Sequence, residues 1–99
     1  MVVLINVFTV APRNQARLIE LLSRATTDTV RHQPGFVGAG LHKSLDGTKV
    51  TMYARWQSID DYQRMRSTPT SSPYLAEALT IATFEPGMYE VVETFAPAN

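Results

Sequence analysis

Phe36–Trp56 reads FVGAGLHKSLDGTKVTMYARW, and this stretch decides the fold. Asp46-Gly47 near its middle is a strong hairpin signal, because a tight turn needs positive φ and glycine supplies it without a steric penalty. The flanks are rich in Val, Thr, Tyr and Trp, which fit a pleated, half-buried surface. They predict antiparallel strands over about residues 36–44 and 48–56. Side chains alternate along a strand, so Val50, Met52, Ala54 and Trp56 share one face, and Thr51, Tyr53 and Arg55 the other. An isolated hairpin is marginal in water, so the flanking chain must supply more strands and a cover.

Upstream, Val2–Val10 (VVLINVFTV) predicts another strand, with Val3, Ile5, Val7 and Thr9 on one face and Leu4, Asn6, Phe8 and Val10 on the other. Pro12 ends that ladder and can open a helix, where its missing N–H does no harm. Leu18, Leu22, Ala25 and Thr29 recur at helical spacing, flanked by Ile19 and Val30, and predict a helix over about 13–32. Pro34-Gly35 stops it. Downstream, Ser58 reads as the N-cap of a helix over about 59–65, with Asp60 and Asp61 complementing its dipole. Residues 67–73 are turn-forming, Leu75 and Leu79 mark a helix over about 73–82, and Pro86-Gly87 is a break before a last strand over about 88–95. The order is β-α-β-β-α-β: a ferredoxin-like α+β domain with a four-stranded antiparallel sheet and two helices on one face, spanning 1–99 as a single domain. The other sheet face, with Val3, Ile5, Val7, Thr51, Tyr53 and Arg55, is too apolar for water, and Tyr89, Val91 and Phe95 also need cover. A homodimer packed sheet to sheet is the expected solution.

Composition narrows the function classes. Hydrophobic residues make up 44% of the chain, which excludes intrinsic disorder. Nine basic and nine acidic residues cancel, so no charge steers the protein to nucleic acid or to an anionic membrane. The absence of cysteine excludes disulfide scaffolds, zinc ribbons, iron–sulfur clusters and thiol catalysis. With no basic leader and no long apolar run, the chain is expected in the cytoplasm. It carries no glycine-rich phosphate loop, nucleophile elbow or spaced metal-ligand set. Of its two histidines, His32 lies in the last turn of a predicted helix, where the dipole accounts for it.

What remains is a group of polar and aromatic residues on sheet positions. Asn6 shares a strand face with Leu4 and Phe8, where a core would take an aliphatic residue. Trp56 ends its strand on the face of Met52, His42 lies mid-strand, and Tyr62 lies six residues after Trp56 on the following helix. If the Asn6 and Trp56 faces both turn toward the helices, these groups converge on the space between helices and sheet, as in a small-molecule site. Each also has a purely structural alternative: Asn6 can bond a nearby loop, Trp56 can anchor the core, Tyr62 can plug it, and His42 can sit exposed.

The run Gly35–Thr48, followed by Tyr53-Ala54-Arg55-Trp56-Gln57-Ser58 and Tyr62, resembles the antibiotic biosynthesis monooxygenase family over nearly the whole chain. The resemblance implies ferredoxin-like dimers whose sheets form a β-barrel, with one pocket per subunit between sheet and helices. It implies a cofactor-independent oxygenase that takes a hydrophobic aromatic small molecule, a phenol or quinol of aromatic polyketide type, and O₂ as co-substrate, and makes a quinone. It also implies that His42, Trp56 and Tyr62 are catalytic and that Asn6, Phe8, Met52, Trp56 and Tyr62 bind substrate. His42 would be the proton acceptor, since an imidazole can take up a proton near neutral pH. One departure stands out: polyketide-type members carry an asparagine four residues before the tryptophan, and this chain has Met52. A polyketide cyclase or isomerase, or a non-catalytic binding dimer, is the alternative on the same fold. Haem degradation is disfavoured, because no histidine follows Trp56.

Overall fold

The computed structural model describes residues 1–67 and 73–98. Its elements are β1 (Val2–Val10), α1 (Gln15–Asp28), β2 (Phe36–Lys43), β3 (Lys49–Trp56), α2 (Ile59–Ser67), α3 (Pro73–Ile81) and β4 (Ala82–Glu90). The four strands form one antiparallel sheet in the order β2-β3-β1-β4, the ferredoxin-like α+β arrangement. The turn expected over 67–73 falls, for residues 68–72, outside the described residues. Among the described residues no helix is long and apolar enough to cross a membrane.

Local chemistry accounts for most boundaries. Gly47 turns the β2–β3 hairpin at φ +84°, and the Asp46 carboxylate accepts bonds from Ser44 Oγ, Thr48 N and Thr48 Oγ1 at 2.7, 3.0 and 2.7 Å. Ser58 caps α2: its Oγ accepts from the Asp61 amide at 3.1 Å and donates to Asp61 Oδ2 at 2.9 Å, a reciprocal capping arrangement. The long helix expected over 13–32 is broken into three parts. Pro12–Asn14 and Val30–His32 are single 3₁₀ turns around α1, and Thr29 leaves helical geometry at φ −129°.

Two expectations at the C-terminal end are corrected. Pro86-Gly87 does not precede the last strand but lies inside β4, which begins directly after α3 and ends at Glu90. Proline is tolerated there because β4 is an edge strand, where a missing N–H costs no ladder bond. Residues 91–98, expected partly as strand, form no regular element, and Val92 and Phe95 are 93% and 85% exposed. Leu75 and Leu79 also stay outside the core, which takes Ala78 from α3 instead.

The core is divided. One cluster joins Phe8, Val10 and Val50 of the sheet to Leu18, Leu21, Leu22 and Ala78 of the helices. The other joins Leu4, Ala54 and Trp56 to Tyr62. Between them, across the sheet, runs the row Leu41–Met52–Asn6–Pro86, one residue from each strand in register. The middle of that row carries an amide and a thioether where continuous packing would need aliphatic groups.

Candidate functional site

A cavity of about 300 Å³ opens over this row, between the sheet and the helices. β1 supplies Leu4, Asn6 and Phe8, β3 supplies Met52, Ala54 and Trp56, and β4 adds Phe84. α1 and the turn after it cover the cavity with Leu22, Ala25, Thr26, Thr29 and Val30, while α2 brings Tyr62, Met65 and Arg66. Leu75 and Leu79 of α3 reach it from their half-exposed positions, an apolar lip rather than core. The strands place these side chains because even-numbered residues of β1 and β3 all face the helices.

The walls are mostly aromatic and aliphatic. Phe8 and Phe84 stack across β1 and β4 with centroids 5.2 Å apart. Trp56 has no exposed surface, and it meets Phe36 and Tyr62 edge to face at 5.5 and 5.9 Å. It is therefore a core anchor and a cavity wall at once. Its indole Nε1 and the Asn6 Oδ1 are buried without a hydrogen-bond partner among the described residues. Asn6 pairs with Met52 in the β1–β3 ladder, so it lies four residues along β3 from Trp56, about 13 Å at the strand rise. An unmet acceptor and an unmet donor thus belong to two well-separated lining residues, both atoms buried in the wall. Near the second of them, Arg66 Nη1 donates to the Tyr62 hydroxyl at 3.3 Å, which leaves the hydroxyl proton free to donate onward. Among the described residues no carboxylate lies within ion-pair distance of Arg66.

The structure brings together Asn6, Phe8, Met52, Trp56 and Tyr62, but not His42. His42 is exposed, pairs with Thr51, and stacks on the Tyr53 ring at 5.8 Å, all on the opposite sheet face. The reason is a bulge. The register slips between Phe36 and Gly38, so one extra residue of β2 faces no partner. Phe36 still packs inward on Trp56, but beyond the bulge Leu41 points in and His42 points out. Gly38 and Gly40 lie on that outer face, and the Arg55 and Tyr53 side chains lie so close over them that a Cβ at either would collide. Both histidines are thus outside the cavity, whose described lining contains no His, Asp or Glu. Nor, among the described residues, do three or more His, Asp or Glu side chains gather where a metal ion could be held.

Arg66 and Thr26 are lining residues that the sequence reading missed. Arg66 stands four residues after Tyr62 on α2, the same helical face, and that spacing was the available signal.

The family model for antibiotic biosynthesis monooxygenase matches residues 1–76. The Tetracenomycin-F1 monooxygenase of Streptomyces glaucescens is 38% identical over 96 residues, covering 97% of this chain and 86% of that protein. Among solved structures, SnoaB of Streptomyces nogalater, described as a cofactor-independent oxygenase, superposes with a TM-score of 0.83 at 27% identity, over 97% of both chains. The monooxygenase ActVA-Orf6 of Streptomyces coelicolor, in complex with nanaomycin D, superposes with a TM-score of 0.82 at 29% identity, over 98% of this chain and 92% of that one.

Proposed function

The chain belongs to the antibiotic biosynthesis monooxygenase family, and on that premise we propose that it oxidises a polycyclic phenol or quinol of aromatic polyketide type to a quinone, with O₂ and without a cofactor. One observation carries the reading: an aromatic-walled cavity of about 300 Å³ whose buried acceptor and donor, Asn6 Oδ1 and Trp56 Nε1, have no partner in the described protein. A flat ligand of several rings with an oxygen function near each end would satisfy both once the Asn6 and Trp56 side chains turn toward it.

The reaction balances as phenol plus O₂ giving quinone plus water. The ionised phenol passes an electron to O₂, the pair recombines as a carbon–oxygen bond at the para carbon, that carbon loses its proton, and the O–O bond breaks to release water. The protein's share is physical. Phe8, Phe84 and Trp56 hold the rings and keep water out, so hydrogen bonds to the anion act in a low dielectric. Asn6 accepts from a ring hydroxyl, and the Trp56 N–H donates to a ring oxygen. Tyr62, backed by the Arg66 cation, donates to the phenolate and favours the ionised form. With His42 on the other face, the phenol proton leaves to water at the mouth, not to a protein base. Met52 contributes apolar wall in place of the amide carried by polyketide-type members.

A cyclase or isomerase would draw on a carboxylate or imidazole base in the cavity, and the described lining offers neither, only the Tyr62 hydroxyl beside Arg66. The deciding experiment is oxygen uptake by the purified chain with anthrone-like phenols whose para carbon carries hydrogen, run in ¹⁸O₂. One labelled oxygen in the quinone is the expected result. A rate no better than buffer, with tight binding of the same compounds, would leave a binding protein and end the enzyme reading.

A further inference from the structure

We infer that Met52 is a partition: with Thr26 it closes the ligand cavity off from a second cleft at the β2 edge of the sheet, and so limits which ligands fit. The inference deepens the proposed function by naming what determines ligand size, and the tests below separate the two.

The second cleft has about 130 Å³ and lies between α1 and β2, lined by Ser23, Thr27, Ala39, Gly40 and Leu41 together with Thr26 and Met52. Thr26 and Met52 also line the main cavity, and among the described residues no other lines both. The cross-sheet row explains why. Leu41 of β2 underlies the cleft and Asn6 of β1 underlies the cavity, while Met52 of β3 stands between them. From the helix side the wall is completed by Thr26, whose Oγ1 lies 3.8 Å from Met52 Sδ. Thr26 is held in place because the same hydroxyl donates to the Leu22 carbonyl at 2.9 Å. The cleft reaches solvent, since Ser23, Thr27 and Ala39 are exposed. Met52 and Thr26 together therefore separate the apolar cavity from a polar-edged cleft.

It follows that the wild-type chain accepts ring systems that end at Met52 and rejects those with a substituent directed toward β2. Shortening Met52 would join the two spaces and admit an aliphatic branch of three or four carbons. Each CH₂ buried contributes enough that such a branch should gain about tenfold or more in affinity.

Trp56 is the only tryptophan and lines the cavity, so its fluorescence reports occupancy. The probes are an anthrone-like phenol and its n-butyl derivative, titrated against wild type, Met52→Ala and Met52→Leu. In Met52→Ala the affinity of the butyl compound relative to the parent should rise about tenfold over the wild-type ratio, and Met52→Leu should keep that ratio. An unchanged ratio in Met52→Ala overturns the partition even where both compounds bind. Xenon-pressurised crystals supply a reading that needs no aromatic ligand. A new xenon site at the vacated thioether position, continuous with both spaces, is expected in Met52→Ala, or in Met52→Val if the alanine variant does not fold. Two still-separate spaces in that crystal would sink the inference whatever became of the oxygenase reading. Absence of phenol binding to any variant, with the xenon site present, would sink that reading and leave the partition standing.

Discussion

A buried carbonyl oxygen left without a donor costs about 1–3 kcal/mol, and Asn6 places one on the central strand of the sheet. Leucine has nearly the same shape and would remove that penalty while adding an apolar contact to the Leu4 and Phe8 clusters on either side. Asn6→Leu is therefore expected to raise stability by about 1 kcal/mol, a Tm increase of roughly 4–8 °C for a chain of this length. If the amide serves the ligand, the same substitution should weaken phenol binding about tenfold. A thermal melt alongside a Trp56 fluorescence titration checks both. A fall in Tm would mean that the amide serves the fold, through a bond to a neighbouring segment, and that the trade of stability for binding does not exist here. Asn6 was legible in sequence for this reason: a polar residue on an apolar face has to be accounted for. Arg66 was less legible, because a charged residue on an amphipathic helix is the ordinary case and only its position relative to Tyr62 marks it.

The elements follow their local signals where a turn or a cap is specified by side chains, and depart where the sheet decides. The β2–β3 hairpin is of the first kind. Three bonds from Thr48 N, Thr48 Oγ1 and Ser44 Oγ hold the Asp46 carboxyl down at about 2, against an ordinary value of 3.8. A folded-state pKa below the unfolded one means that the ionised turn supports the hairpin above pH 3.8 and loses that support as pH falls through about 2. The Thr48 amide resonance should titrate with a midpoint near 2, and Asp46→Asn should abolish the titration; a midpoint at the ordinary value would show the turn bonds to be absent in solution. The position of His42 is of the second kind. Strict alternation from the inward Phe36 puts His42 inward as well, and the bulge after Phe36 reverses it. Gly38-Ala39-Gly40 was a visible trace of the irregularity, but glycine in a strand does not say at which residue the phase slips. A functional consequence can be read out directly. His42→Ala should leave kcat/KM for phenol oxidation within about threefold of wild type and its pH profile unmoved, since the profile would follow ionisation of the substrate; loss of an acid-side limb, the fall in rate as a general base becomes protonated, would put His42 back in the reaction.

At the scale of the whole molecule the chain is a slab of 40 × 39 × 20 Å, one layer of helices on one layer of sheet. The sequence conveyed this architecture because hydrophobic periodicity distinguishes the layers, yet it could not show a divided core, which depends on which four residues meet in a row across the sheet. Among the described residues nothing covers the outer face of the sheet. Val3, Ile5, Val7 and Tyr53 lie on it half-buried, Tyr89 is 54% exposed, and the segment after β4 carries Val91, Val92 and Phe95 into solvent. Arg55 and Tyr53 lie flat over Gly38 and Gly40, which smooths that face, and the Arg55 Nε is buried there without a partner among the described residues. A flat apolar face with an unmet donor suits a second sheet packed against it. The proposed working unit is thus a homodimer built face to face, closing the two sheets around a shared apolar layer and leaving each ligand cavity on the far side. Light scattering at micromolar concentration should give twice the 11.0 kDa of the chain. Tyr53→Lys, which places a charge in the middle of that layer, should give a monomer with the helix-side packing around Trp56 intact, read by its fluorescence. A wild-type mass of 11.0 kDa would refute the dimer, and with it the account of why this face is apolar.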